Sequence, residues 1–122
     1  LKTFEYTSSE LSTITTNKDI SCLFGYVEVT NTVKCSSVYI NNSGDEFTLS
    51  FQGCSWEVYI AFGYQGDPEY PNYVFKTKED FIGKTFEVSG IYTYHQYLNY
   101  NNEKVVDFQI VPRDKNDLVL VK

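Results

Sequence analysis

Methionine is absent from this chain of 122 residues, histidine and arginine occur once each, and no run of 18 apolar residues interrupts it. The last absence excludes a membrane-spanning helix, which needs about 20 such residues in succession. A single arginine, Arg113, on a chain of net charge −6 argues against nucleic-acid binding. That affinity draws heavily on Lys and Arg displacing counterions condensed on phosphate. The imbalance is local: residues 1 to 70 hold three lysines against nine acids, whereas residues 71 to 122 hold seven charges of each sign. The first part would repel phosphate, and keeping a tyrosine-rich chain soluble is the plainest role for its acids.

Cysteine is also scarce. Cys22, Cys35 and Cys54 form no C-x-x-C pair and have no histidine near them, which excludes a zinc-binding motif. An odd number of cysteines does not build a disulfide scaffold, so buried, unreactive thiols are expected. His95 has no Ser or Cys partner identifiable by motif, and the pairs Asp45-Glu46 and Glu79-Asp80 read as a turn and a helix cap. No cofactor or metal site is expected, and no enzyme; a pocket holding His95 or a pair of carboxylates would be needed to reverse that. Asn41-Asn42-Ser43 matches a glycosylation acceptor. The chain opens at Leu1 with no leader-like segment, which reads as a mature or excised domain.

What the chain has in quantity is Tyr and Phe, 11 and 9 residues, together with β-branched side chains. That composition favours strands, and the length suits one domain. Thr7-Ser8-Ser9-Glu10 fits a capping box before Leu11 and Ile14, so residues 1–19 read as an N-terminal extension or short helix. A first strand is predicted over Cys22 to Lys34, with Val27, Val29 and Val33 on one face and Gly25 at a bend. Residues 41–45 read as a hairpin turn, followed by strands at about 46–52 and 56–62. Gly63 to Pro71 reads as an exposed loop. Thr77 to Gly83 is a capped single turn of helix, with Phe81 and Ile82 as its apolar anchors. Phe86 and Val88 then alternate with polar residues, Tyr92 to Asn102 passes from a strand end into a polar loop, and Val106, Phe108 and Ile110 form the next strand up to Pro112. Leu118 to Val121 closes the chain.

Phe81-Ile82-Gly83-Lys84-Thr85-Phe86-Glu87-Val88-Ser89-Gly90 resembles the helix-to-fourth-strand passage of OB-fold domains, and Phe108-Gln109-Ile110-Val111-Pro112 resembles their last strand. The likeness extends over residues 20–122 and is similar to OB modules attached to secreted bacterial nucleases and surface lipoproteins. It implies an all-β chain, a five-stranded OB-fold-like Greek-key β-barrel with one short helix, in a secreted or cell-surface protein. Members of that fold bind single-stranded nucleic acid, oligosaccharides or proteins.

Flat ligands on such a face need aromatic platforms. The alternation turns Tyr26, Tyr39 and Tyr59 outward, and two Tyr-rich segments supply Tyr64, Tyr70 and Tyr73, and Tyr92, Tyr94, Tyr97 and Tyr100. Glu28, Glu57 and Glu87 occupy the same strand phases, and the lysines are scattered. Tyr, Asn and Gln without clustered cations suit a protein or a neutral polymer better than a polyphosphate. The sequence therefore points to a non-enzymatic binding module, with single-stranded nucleic-acid binding as the alternative.

Overall fold

The computed structural model describes residues 2–44, 46–61 and 77–121. Among these, the chain forms β1 (Thr3–Tyr6), α1 (Ser8–Thr16), β2 (Tyr26–Val29), β3 (Val33–Ile40), β4 (Glu46–Phe51), β5 (Glu57–Ala61), β6 (Thr85–Leu98), β7 (Lys104–Val111) and β8 (Leu118–Val121). Short 3-10 turns at Lys78–Asp80 and Lys115–Asp117 precede β6 and β8. The protein is mostly β, and the eight strands formed by the described residues join in one sheet. Among the described residues no helix is long and apolar enough to cross a membrane.

β3, β4 and β5 are consecutive antiparallel neighbours. β5 then pairs in parallel with β7, β7 pairs antiparallel with β6, and the first residues of β6 pair with Val33 and Lys34 of β3. Pairings that leave β6 through β3 thus return to it through β7. β6, 14 residues long, also carries β2 and β8, and β1 lies parallel to β2.

Strict alternation explains which side packs. Phe47, Leu49 and Phe51 of β4 and Val58 and Ile60 of β5 are buried, with Thr48, Ser50, Glu57 and Tyr59 on the other face. These side chains join Phe86, Val88, Tyr92, Phe108 and Ile110 in one core. Burying each large apolar group stabilises the fold by roughly 1.5–3 kcal/mol. Trp56 is fully enclosed, and its indole N–H donates to the Ser8 carbonyl at 3.2 Å.

The N-terminal segment is tied into this core. Thr7 Oγ1 accepts from Glu10 N–H at 3.1 Å while Glu10 Oε1 accepts from Thr7 N–H at 2.8 Å, the reciprocal box that starts α1. Leu11 then reaches 0% exposure, and β1 pairs with β2 across Thr3–Tyr6.

Several local expectations change. The first strand begins at Tyr26 rather than Cys22, and a break at residues 30–32 divides it into β2 and β3. Gly25 is there for space, since a Cβ on it would lie 2.6 Å from Phe4 Cε2. In the turn after Thr77, Phe81 is the buried anchor, whereas Ile82 is 44% exposed. Most consequentially, β6 continues as a strand through Tyr92 to Leu98, where a polar loop was expected, and pairs residue for residue with β7. The turn itself is confined to residues 99–103, with Asn99 Oδ1 accepting from the Asn101 and Glu103 amides at 2.9 and 3.0 Å.

Candidate functional site

The face of β4 and β5 opposite the core, the outer part of β3 and the β6–β7 ribbon enclose a cleft of ≈ 750 Å³. That is within the usual range for a ligand site. Register builds it in rows. Tyr39, Thr48 and Tyr59 stand side by side across β3, β4 and β5. Thr93, Gln109 and Glu57 do so across β6, β7 and β5, and His95 is opposite Asp107. Tyr94 and Tyr97 complete one wall and Asn41 with Glu46 the other.

The cleft is acidic. Glu46, Glu57 and Asp107 line it, and none of the described lining residues is Lys or Arg. Glu46 is held in place: Asn41 Nδ2 donates to its Oε2 at 2.7 Å, Asn41 Oδ1 accepts from its backbone N–H at 3.0 Å, and the Tyr59 hydroxyl donates to its Oε1. Glu57 differs, since its half-buried carboxyl makes no side-chain hydrogen bond with the described residues. Burial first, and then the charge of Asp107, push its pKa up to about 7. The same Asp107 charge raises the Tyr97 hydroxyl pKa. Gln109 is only 8% exposed, and its side-chain amide also lacks a hydrogen-bond partner among the described residues. The His95 ring stacks on Tyr97 with centroids 5.4 Å apart.

Of the tyrosines singled out from the sequence, Tyr59, Tyr94 and Tyr97 come together in this cleft, with Tyr39 beside them. Tyr26 lies elsewhere. Its hydroxyl donates to Asp117 Oδ1 at 2.7 Å and its ring lies 3.9 Å under the Arg113 guanidinium, so it belongs to a structural cluster. Tyr92 is a core residue, 0% exposed and stacked on Phe108, because it continues the inward phase of Phe86 and Val88. Tyr100 is fully exposed at the tip of the β6–β7 turn. Tyr64, Tyr70 and Tyr73 lie outside the described residues. His95 belongs to strand β6 rather than a loop.

Asp107 and Gln109 escaped the sequence reading. Their signal was the outward phase of β7, between the apolar Val106, Phe108 and Ile110; what brings them to Glu57 is the parallel β5–β7 register. A second concavity, ≈ 460 Å³ and lined by Ser12, Thr13, Thr16, Asn17, Gly53, Cys54 and Ser55, offers hydroxyls but neither aromatic rings nor charges. The three cysteines are unpaired, and burial pushes the Cys35 thiol up to about 11 and raises Cys22 and Cys54, which makes all three poor nucleophiles. Among the described residues no group of three or more His, Cys, Asp and Glu is placed to hold a metal ion. The chain matches no family model, and no curated protein or solved structure is significantly similar to it.

Proposed function

We propose that the chain is a non-enzymatic OB-type binding module of a larger secreted or surface protein, and that the acidic, tyrosine-lined cleft contacts a protein or a neutral polymer. The fold reading takes β3, β4, β5, β6 and β7 as the five strands of a barrel, supported by the circuit of pairings that returns to β6. On that reading the cleft lies over the second and third strands, beside the loop between the first and second and the hairpin between the fourth and fifth. OB folds bind oligonucleotides and oligosaccharides there. The observation that carries the choice of ligand is the lining: tyrosines with Glu46, Glu57 and Asp107, and no described cation. A phosphate backbone would meet repulsion on this face.

The test is an amide NMR titration with neutral oligosaccharides, unstructured peptides and a single-stranded oligothymidine. Shifts at Tyr59, Tyr97 and Gln109 with a peptide or sugar, weakened at least tenfold in Tyr59→Ala, are expected. Micromolar oligothymidine binding that weakens with salt would replace this reading with the nucleic-acid one.

One observation favours a second reading. His95, Glu57 and Asp107 share the cleft, and a carboxyl titrating near neutrality is what a general acid requires. Release of reducing ends from an oligosaccharide, abolished in Glu57→Gln, would establish hydrolysis; no release from a broad set of glycans would dismiss it.

A further inference from the structure

Arg113 shows how the described surface of the molecule treats a cation. Arg113, half exposed, lies over the Tyr26 ring at 3.9 Å while its Nε and Nη2 donate to Asp117 at 3.0 and 3.4 Å. Ring face and carboxylate together hold a planar guanidinium, because the aromatic quadrupole and the paired oxygens both attract it.

The cleft repeats those parts with no cation among its described lining residues. Asp107 acts on the Tyr97 hydroxyl, the Tyr97 ring stacks on His95, and Glu57 faces Asp107 closely enough for mutual repulsion. Two features mark this as more than a patch of acids. The groups line a cavity of ≈ 750 Å³, and at its floor Gln109, more than nine-tenths buried, presents an amide with no hydrogen-bond partner among the described residues. The amide nitrogen and oxygen stay open to the cleft, where a ligand can take the place of solvent as their partner. A carboxyl held half-buried beside a like charge costs stability, and groups of that kind concentrate at binding sites.

We infer that the cleft receives an arginine side chain from an extended segment of a partner protein, its guanidinium seated between Glu57 and Asp107 against the tyrosine rings, with Gln109 bonding that segment's backbone. This deepens the binding-module reading and rests on it. It selects the protein over the neutral polymer on charge complementarity: three acids line the cleft, the described lining has no Lys or Arg, and the chain carries −6 overall. Arginine fits better than lysine because its flat fork pairs with carboxylate oxygens while its face lies on a ring.

The experiment uses the full chain and an acetylated, amidated nonapeptide bearing three arginines between glycines, with citrulline in their place as the uncharged isostere. Amide shifts at Glu57, Asp107 and Gln109 should saturate with the arginine peptide, and the citrulline peptide should bind at least tenfold more weakly. Glu57→Gln and Asp107→Asn, each checked for a native spectrum, should each weaken binding about tenfold. Glu87→Gln removes an equal charge from an exposed position outside the cleft and should leave binding within twofold. Equal binding of the citrulline peptide, or an equal loss in Glu87→Gln, would overturn the inference by showing contact without a seat or simple charge attraction. If a neutral oligosaccharide shifts the same residues and the arginine peptide does not, the inference falls and the binding-module reading stands. If neither does, both fall.

Discussion

Glu57 on β5 and Gln109 on β7 are register partners across a parallel strand pair, and both side chains turn into the cleft without a hydrogen-bond partner among the described residues. Parallel pairing sets them at the same level, so a carboxyl and an amide share one wall with Asp107 close by. For Glu57, partial burial beside a like charge costs stability, so stability alone does not account for its place there.

Replacing Glu57 with Gln is therefore expected to stabilise the protein in a pH-dependent way. The folded carboxyl titrates at about 7 against an ordinary 4.5, so its contribution is fully present below about pH 4.5. As pH rises towards 7 the unfolded chain ionises while the folded one keeps its proton, and stability is lost. Urea unfolding should show Glu57→Gln more stable by about 1–2 kcal/mol at pH 8, allowing for solvent screening of a half-exposed group, and equal to the parent at pH 4.

Gly90 fixes how β6 crosses β7. Its φ is +155°, and a Cβ there would lie 2.5 Å from the Val111 carbonyl oxygen, a backbone atom that cannot step aside. Gly90→Ala should cost about 2–4 kcal/mol in urea unfolding. Gly25→Ala meets the Phe4 ring instead, a side chain that can rotate, and should cost less, about 1–2 kcal/mol.

Asp117, 3% exposed, accepts from the Arg113 backbone and guanidinium and from the Tyr26 hydroxyl. Burial alone would raise its pKa, and these bonds overcome that and hold it below the usual aspartate value. Its stabilisation is present above the unfolded-chain value and is lost as pH falls through the lower folded one. Asp117→Asn should cost about 2–3 kcal/mol at pH 7 and Tyr26→Phe about 1 kcal/mol, with the difference between Asp117→Asn and the parent shrinking towards pH 2.

The N-terminal segment carries load in the same core. Leu11→Ala should cost about 2–4 kcal/mol, because the residue is fully enclosed. A change below 0.5 kcal/mol in urea unfolding would show that α1 packs only loosely.

How much of this was legible in the sequence follows from whether the cause is local. The capping box at Thr7 and Glu10, the hairpin turn after Ile40 and the alternation of Phe47, Leu49 and Phe51 depend on near neighbours, and all appear where expected. So does the shared outward phase of Glu57 and Tyr59. The run from Tyr92 to Leu98 misled because it is polar on both phases. Its strand is held by pairing with β7, and beyond Thr93 its side chains leave the core for solvent on both faces. Counting by twos from Phe86 reaches Tyr92, so its burial was readable. The meeting of Glu57 with Asp107 was not, since it depends on a parallel register between strands about 50 residues apart in sequence, which no local pattern encodes.

The most direct measurement is the Glu57 side-chain carboxyl titration by carbon NMR, in the free protein and with the arginine nonapeptide. Asp107, His95, Tyr97, Tyr59 and Glu46 face the same cleft, and the Asp107→Asn variant separates the effect of burial from that of the neighbouring charge. A midpoint near 7 in the free protein, falling by at least one pH unit when a guanidinium is seated beside the carboxylate, is the expected result. A midpoint near 4.5 in the free protein, or one that the peptide leaves unmoved at saturation, would contradict the cleft as a seat for a partner's cation.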